Sequence, residues 1–400
     1  MMKMKMDLPA PVLQAVRMLN DSGFEAYVIG GAVRNRILNN PVHDYDLTTS
    51  ALPGQVKQVF SRYRTIDTGI RHGTVTVIIS RMHLEITTYR TETSYRDHRH
   101  PDAVAFTSLL RDDCARRDFT INAMAYHPDE GLIDYFGGYD DIRSRIIRTV
   151  NDPRQRFEED ALRILRAVRF ASELGFDIEK QTAQALLEQC GDLQYVSKER
   201  IIQELGRILT GACAPDALKD FRCVFAVFIG GLTDEEQWQH LLRQYSRCSR
   251  NLNVRLALLL NSQKENAERI LHDLKYPNEI TDAVCNILAL SGMPLSSRTD
   301  IRKLLSRLKV PFETYLSYRS AADPDISTAE ALSLYRRIEE DRDCVSIRGL
   351  AVDGNDLREA GLQGKQIGSA LQTCLNAVME DRAENTKDAL LKLLKDQNMI

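Results

Sequence analysis

Residues 30–47, GGAVRNRILNNPVHDYDL, bring a glycine pair, two arginines and two aspartates into one short run. In an extended strand alternate side chains share a face, so Asp44 and Asp46 would present their carboxylates on one side. Held together, two like charges repel unless a cation lies between them. Hard oxygen ligands of this kind suit Mg²⁺, which keeps several waters and combines one or two carboxylates with substrate phosphates. Gly30 and Gly31 follow AYVI, an apolar strand-like run, and precede AVRNRILNN, whose spacing is helical. A strand-to-helix turn can aim backbone N–H groups at an anion. Together these parts would hold a nucleoside triphosphate at the turn, with metal bridging it to the aspartates. Neither GxxxxGK[ST] nor GxGxxG occurs, so the turn is not a P-loop or a dinucleotide fingerprint.

Two further clusters carry charge. LRDDCARRDFTINAMAYH contains Arg116, Arg117, Asp118 and Asn122. Alone it reads as a helix start with an exposed charged cluster. Beside a triphosphate, Arg117 could neutralise phosphate, and Asp118 and Asn122 could reach a ribose hydroxyl. RFEEDALRILRAVRF predicts a helix with Asp160 and Arg163 as i, i+3 neighbours on its surface. A single surface ion pair contributes about 0–1 kcal/mol. Arg166 and Arg169 continue at three-residue steps, which is more charge than one ion pair needs.

The elements that must position these residues divide the chain in two. TVTVIIS and MHLEITTYR are rich in Val, Ile and Thr, as half-buried strands should be. LPAPVLQAVRMLNDSG reads as a helix with Pro near its start and Gly past its end. From about residue 151 helical spacing takes over, in FEEDALRILRAVRFASELGF, TAQALLEQC, KERIIQELGRILTG and NVRLALLLNSQKENAERILHDL. The fold class is therefore α+β, a head with a mixed sheet followed by an all-helical arm, with SGMPLSS near 291 as a break in that arm. A chain of 400 residues allows two to four domains. It contains no apolar run long enough for a transmembrane helix, and its start does not read as a secretory signal. Its 8 cysteines are scattered without a CxxC pair, which suits reduced thiols in a cytoplasmic protein. A net charge of −3 offers no global attraction to nucleic acid, so an RNA-binding face must be a local patch.

The ordered set of motifs resembles a known family. GG…DxD at 30–46, DTGIRHGTVTV at 67–77, RRDFTINA at 116–123, DYFGGYDDI at 134–142, EDALR at 159–163, SKERIIQEL at 197–205 and the tail segment LAVDGNDLREAGLQGKQIGSAL run in the order found in bacterial class II tRNA nucleotidyltransferases. These are the CCA-adding enzymes of the polymerase-beta-like nucleotidyltransferase superfamily. The resemblance implies a nucleotidyltransferase head at 1–150, a base-selecting neck at 151–215, a body at 216–295 and a tRNA-binding tail at 296–400. It implies CTP, ATP and tRNA as substrates, Mg²⁺ as cofactor, and neither a membrane nor an obligate protein partner. Asp44 and Asp46 match the metal-binding pair. Gly31, Arg34 and Arg117 match positions that hold phosphates and ribose. Asp160, Arg163, Arg166 and Arg169 match the neck pocket. Glu85, on MHLEITTYR, is either a third acidic residue of the metal site or an outward-facing strand residue.

That reading accounts for addition of C, C and A without a template. Cytosine and adenine both offer an exocyclic amine beside a ring-nitrogen acceptor. Asp160 can accept from the amine and Arg163 can donate to the ring nitrogen, whereas uracil and guanine present a carbonyl and a ring N–H there. The tRNA 3′-hydroxyl would attack the α-phosphate, and two metals would stabilise the attacking and leaving oxygens. A poly(A) polymerase shares head and neck, but TGIRHGTVTV and the lack of a long basic extension favour the tRNA enzyme. TETSYRDHRHPDAVAFTSLLRDDC fills the interval whose loss marks CC-only members, and an A-only enzyme remains an alternative. A non-enzymatic RNA-binding module fits poorly with intact Asp44, Asp46 and Asp118. His43-Asp44 and His272-Asp273 suggest an HD phosphohydrolase only superficially. Arg96, Asp97, His98 and Arg99, in a charged loop at 94–102, are expected to act as a lever that resets the pocket for ATP, leading into a helix that carries RRD.

Overall fold

The computed structural model describes residues 4–95, 101–230, 232 and 234–400. The four charges expected to form a lever, Arg96 to Arg99, lie outside the described residues. The first nine strands of the described residues are β1 (Ala26–Ile29), β2 (Tyr45–Thr49), β3 (Arg64–Ile66), β4 (Thr74–Ile79), β5 (Met82–Thr88), β6 (Arg90–Tyr95), β7 (Pro101–Phe106), β8 (Met124–His127) and β9 (Gly131–Asp134). Seven of them form one mixed sheet in the order β3-β4-β5-β2-β1-β8-β9, while β6 and β7 pair as a separate hairpin. Within the sheet β2 and β5 run parallel, and β1 is antiparallel to both its neighbours. The α+β head expected from the sequence is present.

Local chemistry explains these elements. Every residue of β1 is buried, as its unbroken apolar run requires in mid-sheet. β4 alternates buried and half-buried positions, matching the period of a strand with one covered face. Helix α1 (Ala10–Asp21) starts behind Pro9 and buries Val12, Ala15, Val16 and Leu19, an i, i+3, i+4, i+7 stripe. Helices α2 (Gly31–Ile37), α3 (Pro53–Val59), α4 (Leu110–Ala115) and α5 (Gly138–Ser144) complete the head. Tyr27, Ile29, Ala123 and Ala125 from the sheet side pack with Leu110 and Cys114 of α4 in one core cluster, which anchors α4 beside the strands.

The helical arm begins with α6 (Pro153–Glu159), α7 (Leu162–Leu174), α8 (Lys180–Gln189) and α9 (Lys198–Thr210). One continuous helix was expected over FEEDALRILRAVRF, and the structure corrects this. Asp160 is extended, with φ −148° and ψ 100°, and its carboxylate accepts from the Leu162 N–H at 3.1 Å. A short acidic side chain that bonds nearby backbone competes with helix continuation. RRD is likewise not on a helix. Arg116 caps the C-terminal end of α4, and Arg117 and Asp118 follow it.

The chain forms two compact units, through Trp238 and from Gln239 onward. The division falls inside the expected body, 216–295. Helices Ala214–Leu218 and Arg222–Ala226 belong to the first unit. Trp238 Nε1 donates to the Leu218 carbonyl at 3.2 Å, and the Trp238 ring lies 5.4 Å from that of Phe225. In the second unit the expected long helix through NVRLALLLNSQKENAERILHDL is interrupted at Gln263, with φ −128° and ψ 31°. SGMPLSS is a loop within that unit, between helices Asn278–Ala289 and Arg298–Leu305. It is bridged by Tyr315, whose hydroxyl donates to the Leu290 carbonyl at 2.5 Å, and by Asn286 Nδ2, which donates to the Arg307 carbonyl at 3.0 Å.

Candidate active site

The acidic residues sit where the sheet changes direction. Asp46 on β2 is opposite Ile29 of β1 on one side and opposite Glu85 of β5 on the other. Asp44 lies two residues earlier, so the three carboxylates share one face at one end of the sheet. All three reach solvent. Crowding by protein raises the pKa of Asp46; Arg117 opposes the shift, and the negative charges of Glu85 and Asp44 add to it. Among the described residues none of the three has an ion-pair partner, and no cluster of three His, Cys, Asp or Glu side chains is closed enough to hold a metal ion alone. That arrangement fits Mg²⁺, which takes one or two carboxylates and completes its shell with water and substrate phosphates.

The turn after β1 places the first cation. Gly30 has φ +76°, and a Cβ there would lie 2.9 Å from Arg117 Nη1. Glycine is required by its left-handed backbone, and the missing Cβ leaves room for the end of the Arg117 side chain. Gly31, the residue singled out from the sequence, opens α2, and a Cβ on it would meet nothing nearer than Arg34 Nη2 at 3.7 Å. Arg117 has donor capacity to spare. Its Nε is buried with no hydrogen-bond partner among the described residues, and its Nη2 stands 3.7 Å from the Asp113 carboxylate.

Asp118 and Asn122 hold arginines in place. Arg166 binds Asp118 Oδ2 through Nε at 2.8 Å and Nη2 at 2.5 Å. The other oxygen accepts from the Phe119 N–H at 2.8 Å and from Asn122 Nδ2 at 3.1 Å. Asn122 Oδ1 in turn accepts from Arg34 Nη1 at 2.5 Å. Burial alone would raise the Asp118 carboxyl; the Arg166 charge and these hydrogen bonds outweigh it and hold the group well below the usual carboxylate range. Arg34 is lowered to about 10 by burial, with Asp118 opposing, and its guanidinium lies 4.9 Å from the Phe170 ring centre. Asp118 and Asn122 are only 8% and 6% exposed, so the structure engages them in this network rather than leaving them open toward a ribose.

The neck residues divide by environment. Asp160 and Arg163 do not pair with each other. Asp160 accepts a bidentate contact from Arg200 of α9 at 3.2 and 2.7 Å. Arg163 donates through Nη1 to Glu159 at 2.7 Å and to the Arg156 carbonyl at 3.0 Å, and through Nη2 to the Arg116 carbonyl at 3.1 Å. Arg169 is buried against Glu204 at 2.6 Å and Glu173 at 3.3 Å, a structural role inside the α7–α9 contact. Arg166 is the more open member of the series, at 35% side-chain exposure.

Four residues that the structure makes important carried no role in the sequence reading: Asp113, Glu159, Arg200 and Glu204. Asp113 is fully buried, accepts from Thr48 Oγ1 at 3.1 Å and binds Arg116 at 2.8 Å, tying RRD to β2. Glu159, Arg200 and Glu204 stand inside EDALR and SKERIIQEL. The i, i+4 spacing of Arg200 and Glu204 was the available signal that both face α7. The HD reading finds no support, since His272 and Asp273 pair locally with Glu268 and Arg269 on the exposed face of a helix.

Comparison with known proteins agrees with this fold. Family models for the poly A polymerase head domain, the RNA- and SrmB-binding site of polymerase A, and tRNA nucleotidyltransferase domain 2 match residues 26–148, 175–222 and 249–394. The CCA-adding enzyme of Lactobacillus helveticus is 36% identical over 96% of this chain and 96% of its own length. That of Enterococcus faecalis is 34% identical over 97% and 95%. The crystal structure of the Bacillus stearothermophilus CCA-adding enzyme in complex with CTP superposes with a TM-score of 0.82 at 33% identity, covering 98% of each chain. With such similarity over nearly its whole length, the chain belongs to the CCA-adding enzymes, the class II tRNA nucleotidyltransferases.

Proposed function

We propose that the head and neck of this chain add C, C and A to the 3′ end of tRNA from CTP and ATP, with Mg²⁺ held by Asp44 and Asp46. Enzymes of the family are metal-dependent. When bound, the ion supplies Lewis-acid neutralisation of the triphosphate and of the departing pyrophosphate. The chain's own residues do the rest. Arg117, packed against Gly30 with an Nε that has no hydrogen-bond partner among the described residues, takes phosphate oxygens, and Arg34 adds positive charge from α2. Gly31 leaves the start of α2 without a side chain, so phosphate can approach its backbone. Asp160 and Arg163 read the Watson–Crick edge, the carboxylate accepting from the exocyclic amine and the guanidinium donating to the ring nitrogen. A good bidentate contact to a base edge discriminates by about 1–3 kcal/mol, and a mispaired buried group adds to that. Arg166 and Arg169 keep the α7 wall of the pocket in place through Asp118 and Glu204. The second unit, which contains the expected tail, carries tRNA binding. The 8 cysteines are free thiols, which supports a reducing cytoplasm as the setting.

One observation carries this reading: the register that sets Asp46 between Ile29 and Glu85 puts the carboxylates at the strand end from which the Gly30 turn and Arg117 emerge. Incubation with tRNA lacking its terminal CCA and each labelled nucleotide tests it. Extension by three residues from CTP plus ATP, and none from UTP or GTP, is expected. Extension by one or two residues or by a long adenylate run would assign a different polymerase activity.

A further inference from the structure

The Arg163 guanidinium can discriminate bases only if its direction is fixed, because a freely turning donor would move aside from a uracil ring N–H. Three acceptors fix it: Glu159 Oε2, the Arg156 carbonyl and the Arg116 carbonyl. Glu159 is therefore part of the pocket wall, and its own direction matters. Its remaining oxygen, Oε1, accepts from Arg156 Nη2. The same guanidinium sends Nη1 to the Ala115 carbonyl at 3.2 Å. Ala115 and Arg116 are consecutive residues at the C-terminal end of α4, where carbonyls have no intrahelical donor. Two buried arginines, each 8% exposed, thus dock side by side on one helix end, with Glu159 clasped between them.

We propose that Arg156 is a positioning residue for base selection: it braces Glu159 against the end of α4 and so sets the direction in which Arg163 presents its donors. Arg156 does not touch the nucleotide in this account. Its planar fork spans a backbone carbonyl and a carboxylate at once, which a lysine ammonium cannot reproduce with the same geometry. A cavity of about 180 Å³, lined by Thr91, Arg116, Arg156 and Glu159 among others, lies beside the clasp and gives Glu159 room to swing once the brace is lost. The proposal rests on the reading that Arg163 faces the base.

The test measures incorporation of CTP, ATP and UTP by R156Q, R156K and, as a control on that reading, R163M, with urea unfolding of each variant. Removing residues that orient metal ligands commonly costs 10–100-fold in activity; Arg156 orients a base-reading group in the same way, so R156Q is expected to lose at least about tenfold of its CTP-over-UTP preference. The loss should appear in KM for CTP and ATP, with KM for tRNA unchanged. R156K is expected to fold as the wild type does and still fail to restore selectivity, which keeps the test decisive if R156Q is unstable. Restored selectivity in R156K would overturn the proposal, as would equal loss with every nucleotide in a folded variant. A shift in R163M without one in the Arg156 variants would sink the brace alone. No shift in any variant would remove both the brace and the base-reading role of Arg163.

Discussion

Asp118→Asn isolates one buried ion pair with little change of shape. The asparagine keeps an oxygen that can accept from the Phe119 N–H and from Asn122, as Oδ1 does now. It turns an amide donor toward Arg166, whose two N–H groups lose their shared acceptor. The nearest other carboxylate, Glu204, is 4.0 Å from Arg166. Removing one partner of a buried pair costs about 3–5 kcal/mol. The Arg166 side chain is 35% exposed and can turn partly to water, which lowers the expectation to about 2–3 kcal/mol. The protein has 1 tryptophan, Trp238, buried at the end of the first unit, so its fluorescence during urea unfolding reports on the unit containing the pair. With an m-value of about 3 kcal/mol/M, the midpoint should fall by roughly 1 M at pH 7. The sign of the pH dependence follows from the depressed carboxyl of Asp118. Its stabilisation is fully present above the unfolded value of about 3.9 and is lost as pH falls below it. The gap between wild type and D118N should therefore narrow, by roughly 1 kcal/mol on reaching pH 3. A midpoint unchanged at pH 7, or a gap that stays constant on acidification, would refute the reasoning.

Asp44→Asn and Asp46→Asn are each expected to abolish CTP and ATP incorporation without lowering the urea midpoint, because both side chains reach solvent and Asp46 gives up a charge that burial, Glu85 and Asp44 disfavour; turnover by either folded variant would remove the metal assignment. Gly30→Ala should destabilise the first unit by about 1–2 kcal/mol, from its positive φ and the 2.9 Å approach to Arg117, and should raise KM for CTP. Gly31→Ala should leave the midpoint within about 0.5 kcal/mol of wild type, and equal effects at both positions would argue against the assignment of the turn. Asp160→Ala should lower discrimination against UTP and GTP more than it weakens tRNA binding; unaltered selectivity would place base reading elsewhere.

The sequence by itself determined the parts whose signal is local. Enrichment in Val, Ile and Thr marked β4 and β5, a proline near its start and a glycine past its end marked α1, and the step of two residues placed Asp44 and Asp46 on one face. The motif order then identified the chemistry, because residue types that bind metal and phosphate must appear whatever surrounds them. Tertiary structure alone decided which groups meet. Glu85 comes beside Asp46 through a parallel pairing across nearly forty positions of chain, which no local pattern encodes. The helix through EDALR breaks at Asp160 because a carboxylate finds a backbone N–H there, a competition that apolar periodicity does not register. Arg163 and Asp160, three residues apart in the motif, bind different partners because α9 and the end of α4 supply a guanidinium and carbonyls at the right places. Arg116 and Arg117 of RRD, a motif that taken alone reads as an exposed helix start, are gathered around Asp113, because burying one carboxylate under β2 requires the arginines that neutralise it. Charged residues bond to whatever the fold brings within about 3 Å, and that distance is set by packing of apolar faces far apart in the chain.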